Sequence, residues 1–258
     1  IKSINLFRKN KIDILISTGG YMTLPNCITA ILLNKKIFLF EPNMVLGRSN
    51  KLVIKYSKKI LCYSNNLINF SNIYEKKKFI TKPLLRRELL NSKINEKNKF
   101  NDPFKILIIG GSQGAEFFDD QIAKSLVQLN QEKKISIIQQ IAKQNKKNYI
   151  KKIYEDAKIE NKFYSFDLDL YKKYNEVDLA ITRSGASTIS ELVHFSIPFI
   201  AIPLPSAKDN HQYYNAKEYY NNNLCWILRQ SEYEEHKLKD FVLDIIIFTE
   251  IPINIAEN

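Results

Sequence analysis

The sequence predicts an α/β protein built from two parallel sheets, and three observations predict it. Short β-branched runs alternate with stretches of helical spacing along the chain. The alternation breaks once, at the polar segment "NSKINEKNKFND" (91–102), and then restarts. The glycines sit mainly at corners where a strand-like run ends and a helix begins. Strands separated by helices need crossover connections, which give parallel pairing and sheets buried on both faces. The polar break is the natural domain boundary, dividing the chain into residues 1–98 and 99–258. Two Rossmann-like halves facing each other across a cleft are the simplest architecture with this rhythm.

The elements follow in order. "IDILIST" (12–18) is strand-like, and Leu24, Cys27, Ile28, Ile31 and Leu32 then recur at helical spacing. "KIFLF" (36–40) is the next strand, residues 48–58 form a helix, and "KILCY" (59–63) is a further strand. After the break, "FKILIIG" (104–110) leads into a helix around 116–129, and "ISIIQ" (135–139) into one near 145–156. "DLAIT" (178–182) empties into Arg-Ser-Gly-Ala and a helix with Thr188 and Glu191 in its first turn. "FIAIP" (199–203), a helix near 210–222, "LCWIL" (224–228) and a last helix complete the pattern.

The 258 residues carry a net charge of +12, unevenly distributed. Residues 1–98 hold 19 Lys and Arg against 5 Asp and Glu, whereas residues 99–258 hold 20 against 22. Runs such as "KYSKK" (55–59) and "EKKKFITKPLLRR" (75–87) mix these cations with Ile, Leu and Phe. That mixture suits an anionic membrane surface, at about 1 kcal/mol per basic residue. Nucleic acid and a plain solvated face are the rival readings. Cys27, Cys62 and Cys225 lie far apart with no His at ligand spacing, so neither a structural metal nor a disulfide framework is expected. The longest apolar stretch, Phe195 to Pro205, is short and broken by Pro198 and Pro203, which excludes a membrane-spanning helix there.

Only seven glycines occur, against roughly eighteen expected at an average near 7%. They fall in "STGGY" (17–21), "MVLGRSN" (44–50), "IIGGSQGAE" (108–116) and "RSGAS" (183–187). Three of these sites follow a strand and precede a helix, which in a parallel sheet is the carboxyl edge where ligands bind. There glycine lets backbone N–H groups approach an anion, and the helix N-terminus adds partial positive charge. The pattern implies a phosphate-bearing ligand. It is neither a P-loop nor the dinucleotide fingerprint, so neither an ATPase nor a dehydrogenase is expected.

Taken together, "GGYMTLP" (19–25), "EPNMVLGRSNKL" (41–52), "ILIIGGSQGAE" (106–116), "RSGASTISEL" (183–192) and "PLPSAKDNHQYYNA" (203–216) closely resemble the MurG-type glycosyltransferases. The resemblance implies a GT-B enzyme. Such an enzyme moves N-acetylglucosamine from UDP-GlcNAc onto undecaprenyl-pyrophosphoryl-MurNAc-pentapeptide (lipid I) to give lipid II, with inversion and without a cofactor. It places the protein peripherally on the cytoplasmic face of the bacterial inner membrane. The first domain would take the lipid acceptor and the second the donor, with no nucleic acid as partner. A related glycolipid glycosyltransferase, or a non-catalytic nucleotide-sugar-binding subunit, is the alternative.

Residue by residue, the resemblance makes Ser112 a donor-contacting serine. Ala186, Ser187, Thr188, Ile189 and Ser190 would wrap ribose and diphosphate, and Glu191 would accept the ribose hydroxyls. Gln212 would read the GlcNAc ring, and Asn43 would reach in from the first domain. Gly19, Gly20 and Tyr21 would face the acceptor pyrophosphate. A competing reading makes Thr188-x-x-Glu191 a capping box with no ligand at all. His194 reads as a packing residue, His211 as a rim residue, His236 as solvated and Trp226 as core.

The chain departs from the family pattern in places. "FEPN" (40–43) stands where His-Glu-Gln-Asn is usual, and "TKPLLRR" (81–87) where Gly-Asn-Pro-x-Arg is usual. Arg86 is the nearest match to the donor-contacting arginine, and Asp167 the match to a backbone donor contact. The glycine-rich loop and general-base histidine with which the family begins have no counterpart here, and the chain opens Ile1-Lys2-Ser3 without Met. An N-terminally truncated chain that binds donor yet transfers poorly is the expectation, since loss of a general base costs about 10²–10⁴ in rate.

Overall fold

The structure, a computed structural model, describes residues 2–94, 99–111, 115–141, 144–165, 167 and 169–249. Contacts divide the chain into two compact units: Ile1–Leu84 with Ala207–Asn215, and Leu85–Ser206 with Ala216–Asn258. The polar segment 91–102 that marks the expected boundary therefore lies within the second unit. Both units are α/β with wholly parallel sheets.

The first unit contains α1 (Lys2–Lys9), β1 (Ile14–Ser17), α2 (Leu24–Leu32), β2 (Lys36–Glu41), α3 (Arg48–Val53), β3 (Lys59–Cys62) and β4 (Lys78–Ile80). Its sheet runs in simple order, β1-β2-β3-β4. Alternation sets the buried face. Ile37 and Leu39 of β2 join Ile60 and Cys62 of β3 in one core with Phe7, Cys27, Ala30 and Val53 from the helices. Part of the basic run turns inward. Lys77 Nζ donates to the carbonyls of Ile54, Lys55 and Ser57, closing the turn that follows α3.

The second unit contains α4 (Arg87–Leu90), β5 (Phe104–Ile109), α5 (Ala115–Phe117), a π turn (Phe118–Ile122), α6 (Ala123–Glu132) and β6 (Ile135–Gln140). Then come α7 (Gln144–Asp156), β7 (Glu160–Tyr164), β8 (Leu179–Thr182), α8 (Ala186–His194), β9 (Phe199–Ala201), α9 (His211–Asn221), β10 (Trp226–Ile227) and α10 (Glu235–Thr249). The first residues of α9 are counted with the other unit. The strands inside this sheet read as largely apolar runs because both faces are covered, whereas edge strand β7 does not. Phe104, Ile106 and Ile108 of β5 enter a core with α6, α7 and α10, while Leu107 and Ile109 enter a separate core with α8. Leu179 and Ile181 against Ala180, and Ile200 against Phe199 and Ala201, are sorted the same way.

The sheet order is β10-β9-β8-β5-β6-β7. The chain runs outward from β5 to β7, returns to lay β8 beside β5, and runs outward again to β10. The reversal between β5 and β8 is a topological switch point, the kind of position at which ligands bind in open α/β sheets.

One buried acid bears on stability. Asp119, in the π turn, is 1% exposed and accepts from Gln139 Nε2 at 3.1 Å, and Gln139 in turn accepts from Tyr154. Burial pushes its carboxyl up to about 6. A carboxyl whose folded pKa exceeds its unfolded value contributes stability that is present below about pH 4 and lost as pH rises through 6. Asp119→Asn is therefore expected to stabilise the fold at pH 7.5, by on the order of 2 kcal/mol, and so to raise the melting temperature. Thermal melts should show the gain vanishing near pH 4.

Candidate functional site

The glycine corners of the second unit meet at the switch point. Ile109 and Thr182 are register partners, and the Arg183 N–H donates to the Ile109 carbonyl at 3.1 Å, so both loops leave the sheet together. Gly111 lies at φ +67°, a left-handed turn that a side chain would strain. Gly185 is different. Its φ is −68°, and an added Cβ would meet only Thr188 Oγ1, at 4.0 Å. Neither backbone nor packing demands glycine at 185; what its missing side chain leaves is clear access to the first turn of α8.

That first turn carries no side-chain cap, and the Ile189 N–H donates to the Gly185 carbonyl at 3.1 Å. The N–H groups of Ala186, Ser187 and Thr188 precede this bond, where a helix offers them no acceptor of its own. Helix N-termini of this kind favour negative charge. Because the N-cap is Gly185, Thr188 lies inside the helix and the capping box does not form. Glu191 sits a turn deeper than the sequence suggests. Its Oε2 accepts from the Tyr174 hydroxyl at 3.0 Å, and its Oε1 lies 3.8 Å from Arg86 Nη2. The Arg86 guanidinium also lies over the Tyr171 ring at 5.8 Å.

The other expected donor residues divide. Ser187 is exposed, and Ala186 and Thr188 are half-buried. Ile189 is fully buried in the core, and Ser190 Oγ donates back to the Ala186 carbonyl at 2.8 Å, so both side chains serve the helix. Ser112 lies outside the described residues. Asp167 accepts from the Asp169 N–H and from Lys173 Nζ, and the lysine holds its carboxyl below the usual range. Beneath the corner, buried Arg183 donates to the Ile202 and Pro203 carbonyls and to Gln230, bracing the β8 and β9 ends. Burial lowers its guanidinium to about 10, which leaves it cationic at neutral pH.

In the first unit, Gly19 and Gly20 both adopt φ +82°, conformations that favour glycine, just before the turn into α2. Gly20 edges a cavity of about 230 Å³ that is also lined by Tyr21, Asn43, Arg48, Lys208 and His211. Arg48 makes a two-pronged pair with Asp209, at 3.1 and 2.9 Å. Lys208 Nζ lies 4.8 Å from the Tyr21 ring centre. The loop after β2 is organised by Glu41, which is 4% exposed. Its carboxylate accepts from the Asn43 N–H and Nδ2, the Gly47 N–H and Asn50 Nδ2. Asn43 Oδ1 in turn accepts from Asn215 Nδ2, and Asn215 Oδ1 from the Met44 N–H. The Asn43 side chain is thus engaged in bracing its own loop.

Gln212 is half-buried in the first turn of α9. His211 edges the cavity with Nδ1 2.9 Å from the Lys208 carbonyl. His194 packs on Phe195, His236 is exposed beside Glu234, and Trp226 packs edge-on against Phe241. Sequence reasoning passed over Glu41, Tyr174 and Asn215. Glu41 and Asn215 lay within quoted motifs, but Tyr174 had no such signal.

The profile of the glycosyltransferase family 28 C-terminal domain matches residues 105–252, and that of the family's N-terminal domain matches residues 1–62. A UDP-N-acetylglucosamine--N-acetylmuramyl-(pentapeptide) pyrophosphoryl-undecaprenol N-acetylglucosamine transferase from Pelagibacter ubique is 47% identical over 245 residues, covering 95% of this chain and 68% of the relative. The identically named protein of Rickettsia canadensis is 36% identical, covering 100% of this chain and 73% of its own. Among solved structures, MurG of Acinetobacter baumannii superposes with a TM-score of 0.78 at 27% identity, covering 98% of this chain and 72% of that one. MnaA of S. aureus, solved with UDP, shares the fold with a TM-score of 0.64 at 14% identity, covering 94% and 69%.

Proposed function

The chain belongs to glycosyltransferase family 28, and from that premise we propose that it transfers N-acetylglucosamine from UDP-GlcNAc to lipid I, forming lipid II in peptidoglycan synthesis. The observation that carries the reading is the α8 corner. There the first-turn N–H groups of α8 and an uncrowded Gly185 follow β8 at the switch point of the second sheet, with Glu191 one turn further along the helix. The chemistry asks for such a corner. In an inverting displacement the acceptor hydroxyl attacks the anomeric carbon and the bond to the UDP oxygen breaks, so negative charge grows on the leaving diphosphate. Main-chain amides fixed at a helix N-terminus stabilise that charge without reorganising.

In this reading the amides of Ala186, Ser187 and Thr188 hold the diphosphate, and Glu191 accepts the ribose hydroxyls. Arg86 supplies a cation beside Glu191, Gln212 reads the sugar ring, and Gly19, Gly20 and Tyr21 face the acceptor pyrophosphate. The acceptor is a lipid, so the protein works at the cytoplasmic face of the inner membrane. Support comes from Ile73, Phe79 and Ile80, exposed at 78%, 56% and 41% among the lysines of the first unit. No helix among the described residues is long and apolar enough to cross a membrane.

Calorimetry of the purified chain with UDP-GlcNAc, UDP-glucose and UDP, followed by a transfer assay onto lipid I or diacylglycerol, tests the function. Preference for UDP-GlcNAc with product only from lipid I is expected. Equal binding of the two sugars, or transfer to diacylglycerol, would refute it.

A further inference from the structure

We propose that Tyr174 is a positioning residue for the donor: its hydroxyl holds Glu191 in the orientation that meets the ribose. The inference rests on the reading of Glu191 as the ribose-binding acid. Tyr174 stands in the helical turn Leu170–Glu176, on the segment that leads into β8, and is 2% exposed. Its ring packs edge-on against Phe195 at 5.1 Å and joins the core that includes Ile189 and Leu192 of α8. The hydroxyl emerges from that core to donate to Glu191 Oε2 at 3.0 Å.

The geometry matters because Glu191 is a flexible acid on a helix flank. An acid has rotamer freedom to lose when it binds a diol, and a rigid donor behind it removes that loss in advance. Burial raises the phenol far above its ordinary range, so the hydroxyl remains a neutral donor throughout any working pH. The Arg86 guanidinium, 3.8 Å from the other carboxylate oxygen and 38% exposed, is a looser second tether. Each carboxylate oxygen can accept more than one hydrogen bond, so capacity for the ribose hydroxyls remains.

The test is calorimetry of UDP and 2′,3′-dideoxy-UDP against the wild-type chain, Tyr174→Phe, Glu191→Ala and the double variant. Tyr174→Phe removes one hydroxyl and keeps the ring against Phe195, so the core stays filled. It is expected to weaken UDP about tenfold while leaving dideoxy-UDP unchanged, and to add nothing in the Glu191→Ala background. Should Tyr174→Phe bind UDP as wild type while Glu191→Ala abolishes discrimination, the positioning role is wrong and the ribose reading stands. Equal weakening of both nucleotides by Tyr174→Phe would mean general loosening and overturn the inference. If Glu191→Ala still discriminates the two nucleotides, the ribose reading fails and takes the inference with it.

Discussion

Glu191→Ala is expected to lower UDP-GlcNAc affinity by at least a hundredfold while leaving the protein folded. Two hydrogen bonds from ribose hydroxyls to a carboxylate contribute about 1.5–3 kcal/mol each, and the truncated site offers no replacement acceptor. The structural loss is smaller. Glu191 makes no cap on α8, and its partners are a tyrosine hydroxyl and a half-exposed arginine. Leaving the buried Tyr174 hydroxyl without its acceptor costs about 1–2 kcal/mol. Calorimetric titration beside a thermal melt separates the two effects. Lost stability with unchanged nucleotide binding would show the acid to be architectural.

The second large effect belongs to the first unit. Glu41→Ala should destabilise that unit by about 3–5 kcal/mol, because a buried carboxylate that four N–H donors share would vanish and leave them unmet. The loop from Asn43 to Gly47 should loosen with it, and hydrogen exchange across residues 40–50 should accelerate more than exchange across β5 and β6. Glu41→Gln is a sharper probe. It keeps the volume, yet one amide end must face donors that only an oxygen can satisfy. Unaltered exchange in both variants would mean that the loop is held by its apolar residues, Met44, Val45 and Leu46, which are all buried.

Much of the second sheet was legible because its strands are buried on both faces and read as plain apolar runs. The strands that escaped are edge strands. "KFI" of β4 is three residues among lysines, and "ENKFY" of β7 buries too little to show a pattern. The carboxyl-edge corners were legible from glycine placement, Gly111 in a left-handed turn after β5 and Gly185 just before α8, but the strand order that makes them neighbours was not. The position of Glu191 within α8 was not legible. Thr188 and Glu191 carry the spacing of a capping box, but the helix begins earlier, at Ala186, with Gly185 as its cap. Ile189 and Ser190 illustrate the same limit: a motif names neighbours in sequence, whereas helical geometry turns every third or fourth of them inward. The Glu41–Asn43–Asn215 network could not be read at all, because its partners lie up to 172 residues apart and nothing periodic announces them.

In the proposed donor site the α8 corner, beside the carboxyl end of β5, grips the diphosphate and ribose. Hydrogen–deuterium exchange of the chain with and without saturating UDP tests it most directly. Protection concentrated in peptides covering 106–116 and 183–191, lost in Glu191→Ala, is the predicted result. Tight binding of UDP with those two stretches exchanging as in the free protein would contradict it.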